Sequence, residues 1–267
     1  MHKDCHEPQA ALAMTTDILQ IKGVWDMILF LLLIAHFLAD FTFQPKVLAK
    51  KKAESFKFLL LHSAIYAAVI SAAGFTVTEP EAMLLPFAVI ALSHFMLDWL
   101  RVLTDGKFKN AAVHFWSFVI DQALHVLILA GVYFLFGLGE HKLAWFENAL
   151  RWTFVVELIV TGLIFAIIWD PASIFVKKLF AYLSGQVEEP EHDEPRTGSL
   201  IGKLERMIIA VLVIFEQLGG IGFVLTAKSI ARFKQFEERG FAEKYLVGTL
   251  ASTFIAMVVS LILRVYI

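Results

Sequence analysis

Cysteine is almost absent from this chain: Cys5 is the sole example among 267 residues. A lone thiol can form neither an intrachain disulfide nor a clustered-cysteine metal site. Charge is scarce too. Asp, Glu, Lys and Arg make up 18% of the sequence, against about 25% in ordinary soluble domains. The formal net charge of -2 gives no reason to expect a nucleic-acid partner. Two motifs are missing as well. Without a GxxxxGK[ST] phosphate loop nothing suggests a self-powered pump, and without GxSxG serine hydrolysis has no positive support. Apolar surface, by contrast, is abundant. The hydrophobic set reaches 58%, mean hydropathy is +0.71, and 25 Phe with 6 Trp exclude a disordered chain. The class that remains is an integral membrane protein.

A helix crossing roughly 30 Å of hydrocarbon needs about 20 mostly apolar residues. Seven runs qualify, at 24–44, 58–74, 83–100, 115–137, 152–169, 206–227 and 246–264. The expected fold is all-α, a polytopic membrane helix bundle of six or seven transmembrane segments. No run resembles a cleavable signal peptide, because the small-residue site Ala11-Leu12-Ala13 precedes the first apolar run instead of following it. Residues 1–23 read as a polar N-terminal tail, with a metal site at His2, Cys5 and His6 as the alternative and Met14 as an alternative start. Residues 24–183 form the membrane bundle, 184–205 an acidic cytoplasmic linker containing Glu188-Glu189-Pro190-Glu191-His192-Asp193-Glu194-Pro195, and 206–267 a C-terminal membrane part.

Loops rich in Lys and Arg stay in the cytoplasm. Lys46, Lys50, Lys51, Lys52 and Lys57 follow span one, and Arg101, Lys107 and Lys109 follow span three. Both loops are therefore expected inside and the N-terminus outside. Alternation becomes ambiguous at the sixth run. Full crossing would put Lys228, Arg232, Lys234, Arg239 and Lys244 outside; a run that dips in and returns keeps them inside, with a turn at Gly219-Gly220 within Glu216–Gly222. Irregular backbone at that depth is tolerated where protein or a cavity surrounds it, and a plain span with small residues for helix packing is the competing reading. In the last run, Gly248 and Ser252 have the small-xxx-small spacing of closely approaching helices.

Ionisable groups at membrane depth cost about 2.5–3.5 kcal/mol each on an insertion scale, yet here they come in pairs. Span one carries His36 and Asp40, span three His94 and Asp98, span four Asp121 and His125, each pair at i and i+4 on one helix face. Span two adds His62, and Gln44 continues the face of span one. Spans one and three run toward the cytoplasm while span four runs away from it, and its residue order is reversed. The three His are thus expected in one layer, with the three Asp nearer the cytoplasm. All seven groups fall within about 16 Å of that edge at 1.5 Å per residue. A weak repeat of His36-Phe37, Asp40-Phe41 in His94-Phe95, Asp98-Trp99 is compatible with a duplicated hairpin. His114 and His141, at loop edges, are expected to be solvated.

Imidazoles and carboxylates suit a divalent transition metal, Zn, Mn or non-haem Fe, and facing helices can build such sites. The candidate ligands are His36, Asp40, His62, His94, Asp98, Asp121 and His125. Asp40, Asp98 and Asp121 are also the catalytic candidates, and Gln44, Lys46, Arg101 and Gln122 the substrate-binding ones. The first functional reading is a metal-dependent hydrolase of a lipid or lipid-linked phosphate, with the bilayer as partner. The alternative is a proton- or metal-handling transporter or channel. Haem electron transfer ranks last, because each deep His has an Asp one turn away.

The order His36xxxAsp40xxxGln44, Leu60-Leu61-His62, His94xxxAsp98 and Asp121-Gln122-Ala123-Leu124-His125 resembles the bacterial membrane family named domain of unknown function 3307 over about residues 25–135. The segments Leu204-Glu205-Arg206, Ala227–Phe233 and Gly248-Thr249-Leu250 look like an extension of its longer members. The resemblance implies a bacterial inner-membrane location and the same polar positions. It implies no reaction.

Overall fold

The structure is a computed structural model that describes residues 27–108, 110–185, 196–237 and 239–267. The N-terminal tail with His2, Cys5 and His6, and the acidic run at 188–195, lie outside the described residues. Helix is the organising element. One isolated bridge, Thr78 to Lys142, is the only β pairing among the described residues. The helices are α1 Met27–Phe37, α2 Lys46–Glu54, α3 Phe56–Val77, α4 Pro80–Lys107, α5 Ala111–Leu135, α6 Ala144–Ala149, α7 Thr153–Trp169, α8 Pro171–Ser184, α9 Arg196–Ile214, α10 Leu218–Ala231 and α11 Arg239–Leu263.

Five helical stretches are long and apolar enough to cross a membrane: α3, α4, α5, the continuous Thr153–Ser184 and Gly240–Tyr266. A sixth is added if α1 and α2, bent by 82°, form one broken span. Helices overrun the apolar windows because backbone hydrogen bonding continues past the last apolar residue. Asn110 caps α5 by accepting from the Ala112 backbone N–H at 2.8 Å, and Pro80 starts α4 where a missing N–H costs nothing. The fifth run also overruns, passing Asp170-Pro171 and ending at Gly185, whose φ of 66° suits a glycine helix stop.

Two expectations change. The basic stretch after span one is a helix, α2, which turns back to pack on α3 and α4. The sixth run is broken at Phe215–Gln217, where Glu216 takes a φ of 60°; Gly219 and Gly220, the expected turning point, lie in the first turn of α10. The two arms fold back on each other. Lys228 pairs with Glu205 at 2.5 Å across the hairpin, and a Cβ on Gly220 would stand 2.9 Å from the Leu212 side chain. Glu216 itself pairs with Arg264, tying the turn to the end of the last helix.

The core runs along α1, α7, α9 and α11, with Met27, Ile28, Leu32, Val160, Ile164, Ile168, Ala210, Val213 and Ala256 fully buried. The C-terminal part therefore packs onto the front bundle. Arg206, buried between them, donates to the Ile168 and Trp169 carbonyls at 2.6 and 3.1 Å, to Ser252 Oγ at 3.0 Å and to Ser173 Oγ. The Trp169 carbonyl also accepts from Ser173 Oγ at 2.7 Å, so guanidinium and hydroxyl together serve the backbone at the Asp170-Pro171 junction. Of the expected acidic linker, residues 196–205 belong to α9.

Candidate metal centre

The polar pairs converge where α1, α3, α4 and α5 face one another. Asp40 reaches the centre from a local irregularity. Residues Leu38–Thr42 form a single π turn, closed by the Phe43 backbone N–H donating to the Leu38 carbonyl at 2.7 Å, the wider winding often found at functional sites. The i, i+4 pair of span one is therefore not held on a uniform α-helix as its spacing predicts. Asp98 and His94 project from α4, Asp121 and His125 from α5, and His62 from α3, all buried.

Four of the seven residues bring one ligand atom each within 4.8 Å of the others: Asp40, His62, His94 and Asp98. His62 Nε2 lies 3.2 Å from Asp40 Oδ1 and 3.1 Å from Asp98 Oδ2, and His94 Nε2 lies 3.8 Å from Asp40 Oδ1. Neither His62 contact has the direction of a hydrogen bond, since His62 Nε2 finds no hydrogen-bond partner among the described residues. Ligands of a tetrahedral zinc at 2.0–2.1 Å stand about 3.3 Å apart, close to these separations.

Proton counting sharpens the point. Lys52 Nζ can only donate, so the Gln44 amide atom 3.0 Å away must be the oxygen; that oxygen then also accepts from His62 Nδ1 at 3.0 Å, while the Gln44 amide nitrogen donates to the Asp40 carbonyl at 3.1 Å. The His62 proton is committed to Nδ1, leaving Nε2 of the neutral ring as a lone pair facing two carboxylate oxygens. Three acceptors facing one point require a positive charge between them, either a second proton on His62 or a cation. This donor set, two imidazoles and two carboxylates, suits Zn, Mn or Fe.

The other candidates are joined to this group. Gln122 Nε2 donates to Asp40 Oδ2 at 2.7 Å and to Asp121 Oδ2 at 3.1 Å. His125 Nδ1 donates to the Asp121 carbonyl at 2.8 Å, so its Nε2 carries the lone pair. His36 stacks on His125 with ring centroids 5.4 Å apart, and His94 stands 4.6 Å from His125. The three imidazoles thus lie side by side, His36 and His94 being 6.4 Å apart between centroids. His36 Nε2, His125 Nε2 and both nitrogens of His94 have no hydrogen-bond partner among the described residues. Asp121 is bound to Arg101 Nη1 at 2.9 Å. Arg101 and both glutamines, expected to bind substrate, are engaged with site residues, and Lys46 opens α2 with its side chain outside the described residues. The loop-edge histidines are paired too, His114 with Asp105 at 3.3 Å and His141 with Glu79 at 3.0 Å.

Two participants escape a reading by sequence. Lys52 looks like one of several loop lysines, yet its side chain is 10% exposed and it donates to both Asp98 oxygens at 2.9 and 3.1 Å. Its position on α2, a turn beyond Leu48, is the only local signal. Tyr66 lies one turn after His62 on α3; its ring stacks on His94 at 3.5 Å between centroids and its hydroxyl is 3.3 Å from His36 Nδ1. The i, i+4 spacing to His62 could have marked it.

No curated protein and no solved structure matches the chain. A family described as Protein of unknown function (DUF3307) matches residues 28–156, stopping short of the segments around Leu204, Ala227 and Gly248. The helices that carry all seven clustered His and Asp residues, together with Gln44, Lys52, Tyr66, Arg101 and Gln122, all lie within the stretch that is similar to the DUF3307 family.

Proposed function

We propose that the cluster is a divalent-metal centre in a bacterial inner-membrane protein, and that it hydrolyses a lipid or lipid-linked phosphate reached from the cytoplasmic leaflet. The observation that carries this reading is the convergence of His62 Nε2 with Asp40 Oδ1 and Asp98 Oδ2 at 3.1–3.2 Å, with the His62 proton turned away toward Gln44. A charge ledger supports it. Lys52 pairs directly with Asp98 and Arg101 with Asp121, whereas Asp40 makes no direct ion pair with a Lys or Arg among the described residues and touches Gln122, His62 and His94. With every histidine neutral, three carboxylates against two cations leave one negative charge at membrane depth, which is costly.

A divalent ion held by Asp40, His62, His94 and Asp98 would turn that deficit into one positive charge, matched by a hydroxide or a phosphate oxygen. Asp121 Oδ1, buried without a hydrogen-bond partner among the described residues, is placed in the role of base. His36 and His125 orient or extend the centre. Arg101, one-fifth exposed, is the group proposed to meet a phosphate, while Gln44 and Gln122 hold the ligands in place. The metal, when bound, supplies Lewis acidity and a water nucleophile.

In this reading the N-terminus is outside, and the 184–205 connection and Lys228–Lys244 are cytoplasmic. The α9–α10 hairpin, which brings Lys228 back beside Glu205, favours that orientation. The alternative, a proton- or metal-handling transporter, draws on the unpartnered ring nitrogens that run from His62 through His94 to His36 and His125. Metal analysis of protein purified without chelator separates the two. Stoichiometric Zn, Mn or Fe that is lost in Asp40→Asn, with thermal unfolding in chelator close to that of wild type in chelator, is the expected result, together with phosphate release from a lipid phosphate that needs the same metal. Wild-type protein without stoichiometric metal overturns the metal reading, and metal without phosphate release favours transport.

A further inference from the structure

Asp170 stands at the junction of α7 and α8, beyond the family-matched stretch, and its two oxygens hold two different parts of the chain. Oδ2 accepts from Thr42 Oγ1 at 2.9 Å, and Oδ1 accepts from Lys203 Nζ of α9 at 2.5 Å. Lys203 also lies over the Trp169 ring, 5.0 Å from its centroid. One helical turn along α9, Arg206 is locked onto the Ile168 and Trp169 carbonyls. The junction is therefore a fixed point, clamped by the C-terminal part.

Thr42 is the last residue of the π turn whose middle residue is Asp40. A single π turn is a rare insertion in an α-helix, and rewinding it to α geometry would rotate Asp40 about the helix axis, away from His62. The turn keeps its own backbone bond from Phe43 to Leu38. Its last side chain is tied across 128 residues to Asp170.

We propose that Asp170 is a positioning residue for Asp40: through Thr42 it fixes the π turn, so that the C-terminal part of the chain sets the affinity of the metal centre. The proposal rests on the metal-centre reading above. Groups that orient metal ligands from behind typically change affinity about 10–100-fold when removed, and Thr42 acts one step further back.

The test is a Co²⁺ titration of the full chain in detergent, followed by its ligand-field spectrum and by calorimetry, for wild type, Thr42→Val, Thr42→Ser and Asp170→Ala. Thr42→Val removes the hydroxyl at nearly constant volume. The expected outcome is about tenfold weaker Co²⁺ binding with shifted ligand-field bands in Thr42→Val, and wild-type behaviour in Thr42→Ser. Asp170→Ala removes the acceptor from the other side and should shift the same bands, so a misfolded Thr42→Val leaves a second measurement. Wild-type affinity and bands in folded Thr42→Val or Asp170→Ala overturn the positioning role. Equal losses in Thr42→Ser and Thr42→Val do so too, because the hydroxyl is then irrelevant. Wild-type protein that binds no Co²⁺ overturns the metal-centre reading itself, and the positioning role falls with it.

Discussion

Replacing Lys52 by Met should produce two effects of opposite sign. In metal-free protein, Lys52 Nζ donates to both Asp98 oxygens and to Gln44, with its side chain 10% exposed. Removing one member of such a buried pair leaves an uncompensated carboxylate and costs about 3–5 kcal/mol. With a divalent ion bound, the same ammonium is a like charge beside it. At about 4 Å and an effective dielectric of about 20, unit charges interact by roughly 4 kcal/mol; even a third of that, about 1.4 kcal/mol, is a tenfold change in affinity. Lys52→Met should therefore lower the unfolding temperature measured in chelator, bind Zn²⁺ or Co²⁺ at least tenfold more tightly, and regain most of its stability once loaded. Thermal unfolding with and without metal, alongside calorimetric titration, reads both effects. Lys51→Met, on the exposed side of the same helix, is the control and should change neither. Unchanged chelator stability would show that Lys52 does not compensate Asp98. Weaker metal binding would refute the charge ledger.

Arg206→Met should destabilise the packing of α9 on α7 and α11 by about 2–4 kcal/mol, because the Ile168 carbonyl and the Ser252 and Ser173 hydroxyls lose the arginine as donor while Trp169 keeps only Ser173; earlier proteolysis within 196–267 than within 27–156 would report it, and uniform resistance would contradict it. Gly248→Ala should cost about 1–3 kcal/mol, since a Cβ there would stand 2.8 Å from the Phe180 ring, and Phe180→Leu in the same chain should recover part of the loss in a thermal-unfolding series. On topology, a cysteine placed at Glu237 in a Cys5→Ser background should react with an impermeant reagent only from the cytoplasmic side; labelling from the periplasm would refute the returning hairpin.

The membrane class, the all-helical architecture and six of the helical runs were legible in the sequence, because hydrocarbon thickness and backbone satisfaction leave an apolar chain few options. The polar pairs were legible for the same reason. At His36, Asp40, His62, His94, Asp98, Asp121 and His125 an ionisable group interrupts an apolar run, and the reversed order in span four already pointed to a shared layer. Gly248 and Ser252 likewise announced a close packing face, which Phe180 and Arg206 occupy. What sequence could not supply was direction in three dimensions. Lys52 reads as a loop lysine because composition records charge and not the 82° bend that returns α2 toward the site. The π turn at Asp40 has no signature in residue type, so the i, i+4 rule assumed a helix that the backbone widens. The hairpin turn falls at Phe215–Gln217 instead of at the glycines, with Glu216 paired to Arg264 and Gly220 fitted closely against Leu212, contacts that no local pattern announces. Only the tertiary structure brings Asp170 beside Thr42, 128 residues away. Contacts of that range depend on how all the intervening helices pack, which local pattern does not encode.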